Sequence, residues 1–166
     1  MRLLVIVFMV LLGCQKPNSV PSIDTVSAAS TNSFRNVQYV SVYDGDTFTV
    51  NLPDTIPDVF SHEISVRVRH IDTAEMKGSN KCEREMAEKA KVAATTLLKN
   101  AKKIDLEDVG RDKFFRILSQ VVITTTEGKI IVLSQYLLNN NYAVPYEGEM
   151  KQITNWCKIL KLRSKQ

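Results

Sequence analysis

Residues 37–52 read VQYVSVYDGDTFTVNL, which is two runs of alternating apolar side chains around an Asp-Gly pair. Residues 37–42 and 48–52 each have the period of two that favours a half-buried strand. Asp44-Gly45 favours a two-residue hairpin, because Asp and Gly tolerate the backbone conformations that such a turn needs. The stretch therefore predicts that a folded domain begins with an antiparallel strand pair.

Hydrophobic periodicity predicts further strands and helices along the chain. The alternating segments are residues 63–71, 103–108 and 114–125, with a short return segment at 129–132. The helical segments are residues 82–101, 133–140 and a last stretch around Asn155-Trp156. Three strands, a helix, two strands and then helical elements suit a five-stranded Greek-key barrel of the OB type. We therefore expect an α+β protein, an all-β barrel with two to three helices.

The composition is that of one globular domain with extensions. The chain has 166 residues, of which 44% are hydrophobic and 24% charged, and this is enough for a core of ordinary size. The net charge of +4 and the sequence pI near 9.0 mildly favour an anionic partner. Basic residues gather at the C-terminus, where a solvated helix end explains them as well as a nucleic-acid patch does.

The first residues predict an export signal. An unbroken apolar run at residues 3–12 is too short for a stable membrane-spanning helix but suits a signal-peptide core. The run ends in Leu11-Leu12-Gly13-Cys14, which resembles the lipobox of bacterial lipoproteins, whose chain is cut before the cysteine that is then acylated. We expect a signal peptide at residues 1–13 and lipidation of Cys14. An ordinary signal peptide with an incidental cysteine is the alternative.

The segment after Cys14 reads as a flexible tether. Residues 14–34 are rich in Ser, Asn, Pro and Ala and show neither a helical nor a strand period, so they offer little for a core. We expect the folded domain to occupy residues 35–166. The predicted location is the cell envelope, with the lipid anchor in a bacterial membrane and the domain on its periplasmic or extracellular face.

Two cysteines remain after Cys14. An exported domain lies in an oxidising compartment, and Cys82 and Cys157 form an even pair there, so a disulfide between them is favoured. The alternative is a pair of unpaired buried thiols. A bond would fix the C-terminal segment to the rest of the domain.

Three short segments carry the candidate chemistry. They are Asp44-Gly45-Asp46-Thr47, residues 67–75 and residues 112–116. Asp46 and Asp72 at strand ends are the hard oxygen ligands that Ca²⁺ or Mg²⁺ prefers. Each also has an ordinary interpretation, since Asp is common in hairpin turns and at helix caps.

The remaining charged residues of these segments suit phosphate chemistry. Arg67 and Arg116 would form a bidentate clamp on a phosphate, although a strand arginine is more often a surface charge. Glu75 lies three residues after Asp72, where it would reach a water held near the cation; alone, a loop glutamate is usually only solvated.

The three segments together resemble the thermonuclease family, the staphylococcal-nuclease-like proteins, over residues 37–146. The family pattern D-G-D-T corresponds to residues 44–47, R-x-x-x-x-D-T-P-E to residues 67–75 and D-K-x-x-R to residues 112–116. The resemblance implies that Asp46, Asp72 and the Thr73 carbonyl bind Ca²⁺. It further implies that Arg67 and Arg116 stabilise the phosphorane-like transition state and that Glu75 acts as general base or orients the water.

The resemblance also implies a substrate and its binding residues. Family members cut DNA and RNA, prefer single-stranded regions and leave 3′-phosphate ends. Lys113 would hold a terminal phosphate, and the ring of Phe114 would stack on a base. The chain departs from the family where Ala74 replaces a proline and Phe115 replaces a frequent glycine, and neither change removes a charged group.

The sequence thus predicts a monomeric, lipid-anchored, Ca²⁺-dependent nuclease. The alternative is a catalytically inactive nucleic-acid-binding OB-fold lipoprotein.

Overall fold

The computed structural model describes residues 32–148 and 154–163. The predicted signal peptide at residues 1–13, the lipidation site Cys14 and the tether up to residue 31 lie outside the described residues. Within the described ranges, no helix has both the length and the apolar character needed to cross a bilayer.

Eight strands and three helices make up the described chain. The strands are β1 (Gln38–Asp44), β2 (Thr47–Asn51), β3 (Ile64–Val68), β4 (Ile71–Thr73), β5 (Lys103–Arg111), β6 (Ile117–Thr124), β7 (Ile130–Val132) and β8 (Ala143–Pro145). The helices are α1 (Lys81–Lys99), α2 (Leu133–Asn139) and α3 (Trp156–Arg163), and a 3-10 turn covers Asp58–Phe60.

The main sheet is mixed and has the strand order β1-β2-β3-β6-β5, with β7 paired to β6. All of its pairs are antiparallel except β3 with β6. The predicted α+β class is therefore confirmed, but the sheet has six strands instead of five because residues 130–132 form a strand of their own. The named strand pairs do not close a ring, although Phe34 forms an isolated bridge with Leu106 of β5.

Helix α1 packs its apolar stripe against the sheet. Asn80 caps the helix by accepting a hydrogen bond from the Glu83 N–H at 3.0 Å, and Met86, Ala90 and Leu98 are fully buried. Each large apolar side chain buried in this way contributes roughly 1.5–3 kcal/mol. The hairpin turn approaches the helix so closely that a Cβ on Gly45 would lie 2.6 Å from the Ala90 Cβ. Glycine is required there by packing.

Two of the strand boundaries that differ from the periodicity lie in the candidate site. The strand predicted over residues 63–71 breaks after Val68, because His70 adopts a left-handed φ of 65°, and β4 then pairs with β8 in a separate sheet. The strand predicted from residue 114 begins at Ile117, because the preceding residues form a turn with Phe115 at a φ of 63°.

Helix α3 is joined to α1 by a disulfide and a small apolar cluster. Cys82 and Cys157 form the disulfide, with Cα atoms 5.0 Å apart and a sequence separation of 75. Beside the bond, Ala74, Met86 and Trp156 pack together and are at most 5% exposed. The second core region is thus built around Ala74, the residue that precedes Glu75.

Candidate active site

One cavity of about 730 Å³ gathers the residues predicted for catalysis, metal binding and substrate binding. Its lining includes Asp46, Arg67, Asp72, Thr73, Glu75, Lys113, Phe114 and Arg116. The hairpin turn, the ends of β3 and β4, and the turn before β6 supply these side chains. The fold therefore places all three sequence segments around a common space.

Asp46 anchors the hairpin turn to β4. Its Oδ2 accepts hydrogen bonds from the Thr73 N–H at 2.7 Å and from the Thr73 Oγ1 at 2.9 Å. The Val68 N–H donates to the Asp46 carbonyl at 2.9 Å. Asp46 and Asp72 are 4% and 6% exposed, so two carboxylates are held in a nearly dry environment, where charge interactions are strong.

Arg67 lies between these two carboxylates. Its Nη2 donates to Asp72 Oδ1 at 3.2 Å and to the Ile71 carbonyl at 3.1 Å, and its Nη1 forms an ion pair with Asp46 Oδ1. Nη1 is buried and forms no hydrogen bond of proper geometry. Because Asp46 Oδ1 is its close partner, this nitrogen contributes to the ion pair that holds Arg67 in the cavity.

Negative charge exceeds positive charge at this end of the cavity. Burial raises the pKa of Asp44, against the opposing effect of Arg67. Burial likewise lowers the pKa of Arg67, while Asp72 and Asp44 raise it. A single buried guanidinium therefore faces three buried carboxylates, an imbalance that a bound cation would reduce.

Glu75 is exposed at the edge of the same cavity. The neighbouring Ala74 is 1% exposed and packs against Met86, Ala87 and Trp156, so the loop is held from behind by the α1–α3 contact. A carboxylate on a supported loop, facing solvent and the cavity together, is suitably placed to accept a proton from water.

Arg116 is positioned by Asp112. Asp112 Oδ2 accepts from Arg116 Nε at 2.7 Å, and Oδ1 accepts from the Phe114 and Arg116 N–H groups at 2.8 and 3.0 Å. Burial alone would raise the pKa of Asp112, but these hydrogen bonds outweigh it and the net shift is downward. Arg116 Nη1 also donates to Thr47 Oγ1 at 3.3 Å, which links this turn to the hairpin.

The turn before β6 also carries exposed aromatic rings. Phe114 is 66% exposed, and the Lys113 ammonium and the Arg116 guanidinium lie 5.2 and 5.4 Å from its ring centre. A cation over an aromatic face is favourable, and an exposed ring is a stacking surface for a base. Phe115 is 79% exposed and is not part of the cavity lining.

The cavity contains further residues that the motifs do not indicate. Tyr43, Arg69, His70, Tyr146 and Glu147 also line it. His70 Nδ1 lies 2.8 Å from Glu147 Oε2, a contact made possible because β8 pairs with β4. Among these five residues, the sequence pattern indicated Arg69 alone, because it follows Arg67 by two residues and so shares its face of the predicted strand.

The cavity offers oxygen donors of the type that Ca²⁺ binds. Carboxylate and carbonyl oxygens are the ligands that Ca²⁺ takes, and Asp46, Asp72 and Thr73 all line the cavity. No three His, Cys, Asp or Glu side chains of the described residues converge as a metal-ligand group. A bound cation would therefore be held by two carboxylates, the Thr73 carbonyl and water molecules. These oxygen ligands are suitable for a partly hydrated Ca²⁺.

The carboxylates, arginines and exposed aromatic ring around one cavity of this α+β domain are side chains of the types that bind phosphate esters and bases. The chain belongs to the staphylococcal nuclease homologue family, whose model matches residues 65–165, more than half of the sequence. The match includes the second and third charged segments and begins after the hairpin. No curated protein matches the chain. The family relates it to nucleases, which act on nucleic acids and generally use Ca²⁺.

Proposed function

We propose that the protein is a Ca²⁺-dependent nuclease that hydrolyses phosphodiester bonds of DNA, and of RNA as well, with a preference for single strands. The observation that carries the proposal is the shared cavity, in which buried carboxylates, Arg67, Arg116 and an exposed Glu75 meet. The products are chains with 3′-phosphate ends.

In the proposed reaction, Glu75 accepts a proton from a water as the water oxygen attacks phosphorus. The bond from phosphorus to the 5′ oxygen breaks in line with the attack, and the leaving oxygen takes a proton from solvent. Arg67 and Arg116 donate to the non-bridging oxygens, where charge accumulates, and an arginine in this role is worth roughly 10³–10⁵ in rate. Asp46, Asp72 and the Thr73 carbonyl would hold Ca²⁺, which supplies charge neutralisation and a more acidic bound water.

The substrate preference is supported by the exposed turn. Lys113 presents a charge for a terminal phosphate, and the ring of Phe114 presents a face for a base. Bases are free to stack on such a ring only where they are unpaired, which favours single strands.

The test is an assay of the purified full-length chain on denatured and duplex DNA with Ca²⁺, Mg²⁺ or EDTA. We expect cleavage that requires Ca²⁺ and falls by at least about a thousandfold in both Arg67→Ala and Glu75→Gln. Cleavage that survives in both variants would overturn the site. Binding of DNA without cleavage by the intact protein would favour the alternative, an inactive nucleic-acid-binding lipoprotein.

Export and anchoring are part of the same proposal. The protein would be cut before Cys14, lipidated there and linked through residues 14–34 to a monomeric domain at the cell envelope. The disulfide between Cys82 and Cys157 supports an oxidising compartment. Expression of Cys14→Ser should move the protein from the membrane fraction to the soluble one, and equal partition of both forms would contradict lipidation.

A further inference from the structure

Arg69 is a third arginine in the cavity, and the proposed chemistry does not use it. It follows Arg67 by two residues, and both side chains line the same space. Arg69 directly follows the last residue of β3, and its N–H donates to the Ser119 carbonyl of β6 at 2.9 Å. The Arg69 side chain is 23% exposed, which leaves part of it open to a ligand.

Strand β5 is irregular where it contacts Arg69. Strand β5 has a register irregularity between Glu107 and Gly110, and Asp108 within it adopts a left-handed φ of 49°. The irregular segment presents the Asp108 carbonyl to Arg69 Nε at 2.8 Å and the Asp108 Oδ2 to the same nitrogen at 3.1 Å. A Cβ on Gly110 would lie 2.6 Å from Arg69 Nη2, so glycine leaves the space that the guanidinium occupies.

The two terminal nitrogens of Arg69 remain for another acceptor. Its hydrogen bonds use Nε alone, and within the described ranges no acceptor pairs with Nη1 or Nη2. A guanidinium fixed at Nε keeps a planar pair of donors that matches the oxygens of a phosphate. Asp108 is 69% exposed at its side chain, so solvent screens its charge and the guanidinium stays attractive to an anion.

We propose that Arg69 forms a second phosphate subsite, which binds the phosphate next to the cleaved one in a single-stranded polynucleotide. The proposal rests on the proposed function, since it takes Arg67 and Arg116 as the residues at the cleaved phosphate. The subsite adds affinity only for substrates that carry a second phosphate, and so it sets the smallest substrate that is bound well.

A purely structural role for Arg69, as a brace for the irregular segment of β5, makes a different prediction. A brace would affect every substrate to the same extent, whereas a phosphate subsite affects only substrates that have a second phosphate to place there.

The first test measures binding of a fluorescent thymidine hexanucleotide in EDTA over a range of salt concentrations. Arg69→Ala should weaken binding about tenfold and lower the slope of log affinity against log salt by about 0.7. The control is Arg35→Ala, because Arg35 also pairs with carboxylates of β5, at 3.3 Å from Asp105 and 2.5 Å from Glu107, but lies outside the cavity lining. Equal slopes in the two variants would overturn the subsite, whether or not the protein cleaves DNA.

The second test compares kinetics on a thymidine dinucleotide, with one phosphodiester, and on the hexanucleotide. In Arg69→Ala, the ratio of kcat/KM on the hexanucleotide to kcat/KM on the dinucleotide should fall about tenfold, mainly through KM. Gly110→Ala should lower the same ratio, since its methyl group displaces the guanidinium. An unchanged ratio in both variants would show that Arg69 only braces the sheet, and absence of any cleavage by the wild type would instead contradict the nuclease activity.

Discussion

The two ends of the cavity hold their arginines in opposite ways. Arg67 is 12% exposed at its side chain and lies between two buried carboxylates, whereas Arg116 is 27% exposed and is held by Asp112 on a surface turn. The buried end is fixed by main-chain contacts with two strands. The exposed end is fixed mainly within one turn of five residues, with one further hydrogen bond from Arg116 to Thr47, and Phe114 beside it is open to solvent.

Contacts at the buried end therefore serve mainly the stability of the fold, and side chains at the exposed end serve mainly recognition of the substrate. At the buried end, each charge depends on its partners, because an unpaired buried charge is costly. At the exposed end, water compensates for a lost partner, so side chains there are free to change contacts when a substrate binds. The buried end therefore suits fixed charge stabilisation at the reacting atoms. At the exposed end, Arg116 shares that role, and Lys113 and Phe114 suit contact with the rest of the nucleic-acid chain.

Separate replacement of Arg67 and Arg116 should give the largest difference in the free energy of unfolding. Arg67→Ala leaves Asp46 and Asp72 buried without their cation and should lower the free energy of unfolding by about 3–5 kcal/mol. Arg116→Ala should lower it by less than about 1 kcal/mol. Urea denaturation of both variants measures the contrast, and Ca²⁺ should restore more stability to Arg67→Ala than to Arg116→Ala. Equal losses would mean that the buried carboxylates do not depend on Arg67.

The disulfide stabilises the buried end of the cavity by joining α1 to α3. Cys157→Ser opens a loop of 75 residues and should lower the free energy of unfolding by roughly 2–4 kcal/mol. Since Trp156 packs on Ala74 beside Glu75, kcat should fall as well. Dithiothreitol should reproduce both effects in the wild type and leave Cys157→Ser unaltered. A wild type that is insensitive to dithiothreitol would contradict this role.

Asp112→Asn tests the exposed end. The amide oxygen still accepts from the main chain, but the charge-assisted bond to Arg116 Nε is lost, so kcat should fall about tenfold while KM changes less. Asp54→Asn, an exposed loop carboxylate outside the cavity lining, is the control for loss of one charge. A matching loss in the control would point to an effect of net charge.

The pH dependence of stability gives the same substitution a second readout. The folded-state pKa of Asp112 lies below its ordinary value of 3.8, so its contribution is present above that pH and is lost as pH falls through the lower folded value. The stability difference between wild type and Asp112→Asn should therefore shrink in acid. A difference that grows below pH 3.8 would have the wrong sign.

Phe115→Gly should have the smallest effect on stability, and it tests the backbone conformation of the exposed turn. A left-handed φ is unfavourable for a residue with a side chain and free of strain for glycine, so the variant should gain about 0.5–1 kcal/mol of stability. Phe115→Ala keeps the Cβ and should show no such gain in thermal denaturation. A gain of equal size in both variants would show that the exposed ring, and not the backbone, is the source of the cost.

Much of the fold was predictable because local patterns specify local elements. The hairpin at residues 37–52, helix α1 and the alternation of β6 were all visible as periodicities. The break at His70 and the turn at Phe115 were not, because neither residue type usually adopts a left-handed φ and the surrounding contacts impose it. The short strand β8 was not predicted either, since its three residues acquire a partner only when β4 is placed beside them.

The sequence by itself determined which residues were candidates for chemistry, because the types and spacing of Asp46, Arg67, Asp72, Glu75 and Arg116 are properties of the chain. Only the tertiary structure decided that they share one cavity, since the pairing of β3 with β6 brings residues 67 and 116 together across about fifty positions of sequence. It also decided which arginine is buried, how Asp112 holds Arg116 and where Arg69 points. Those properties depend on burial and on partners distant in the chain, and burial is set by packing.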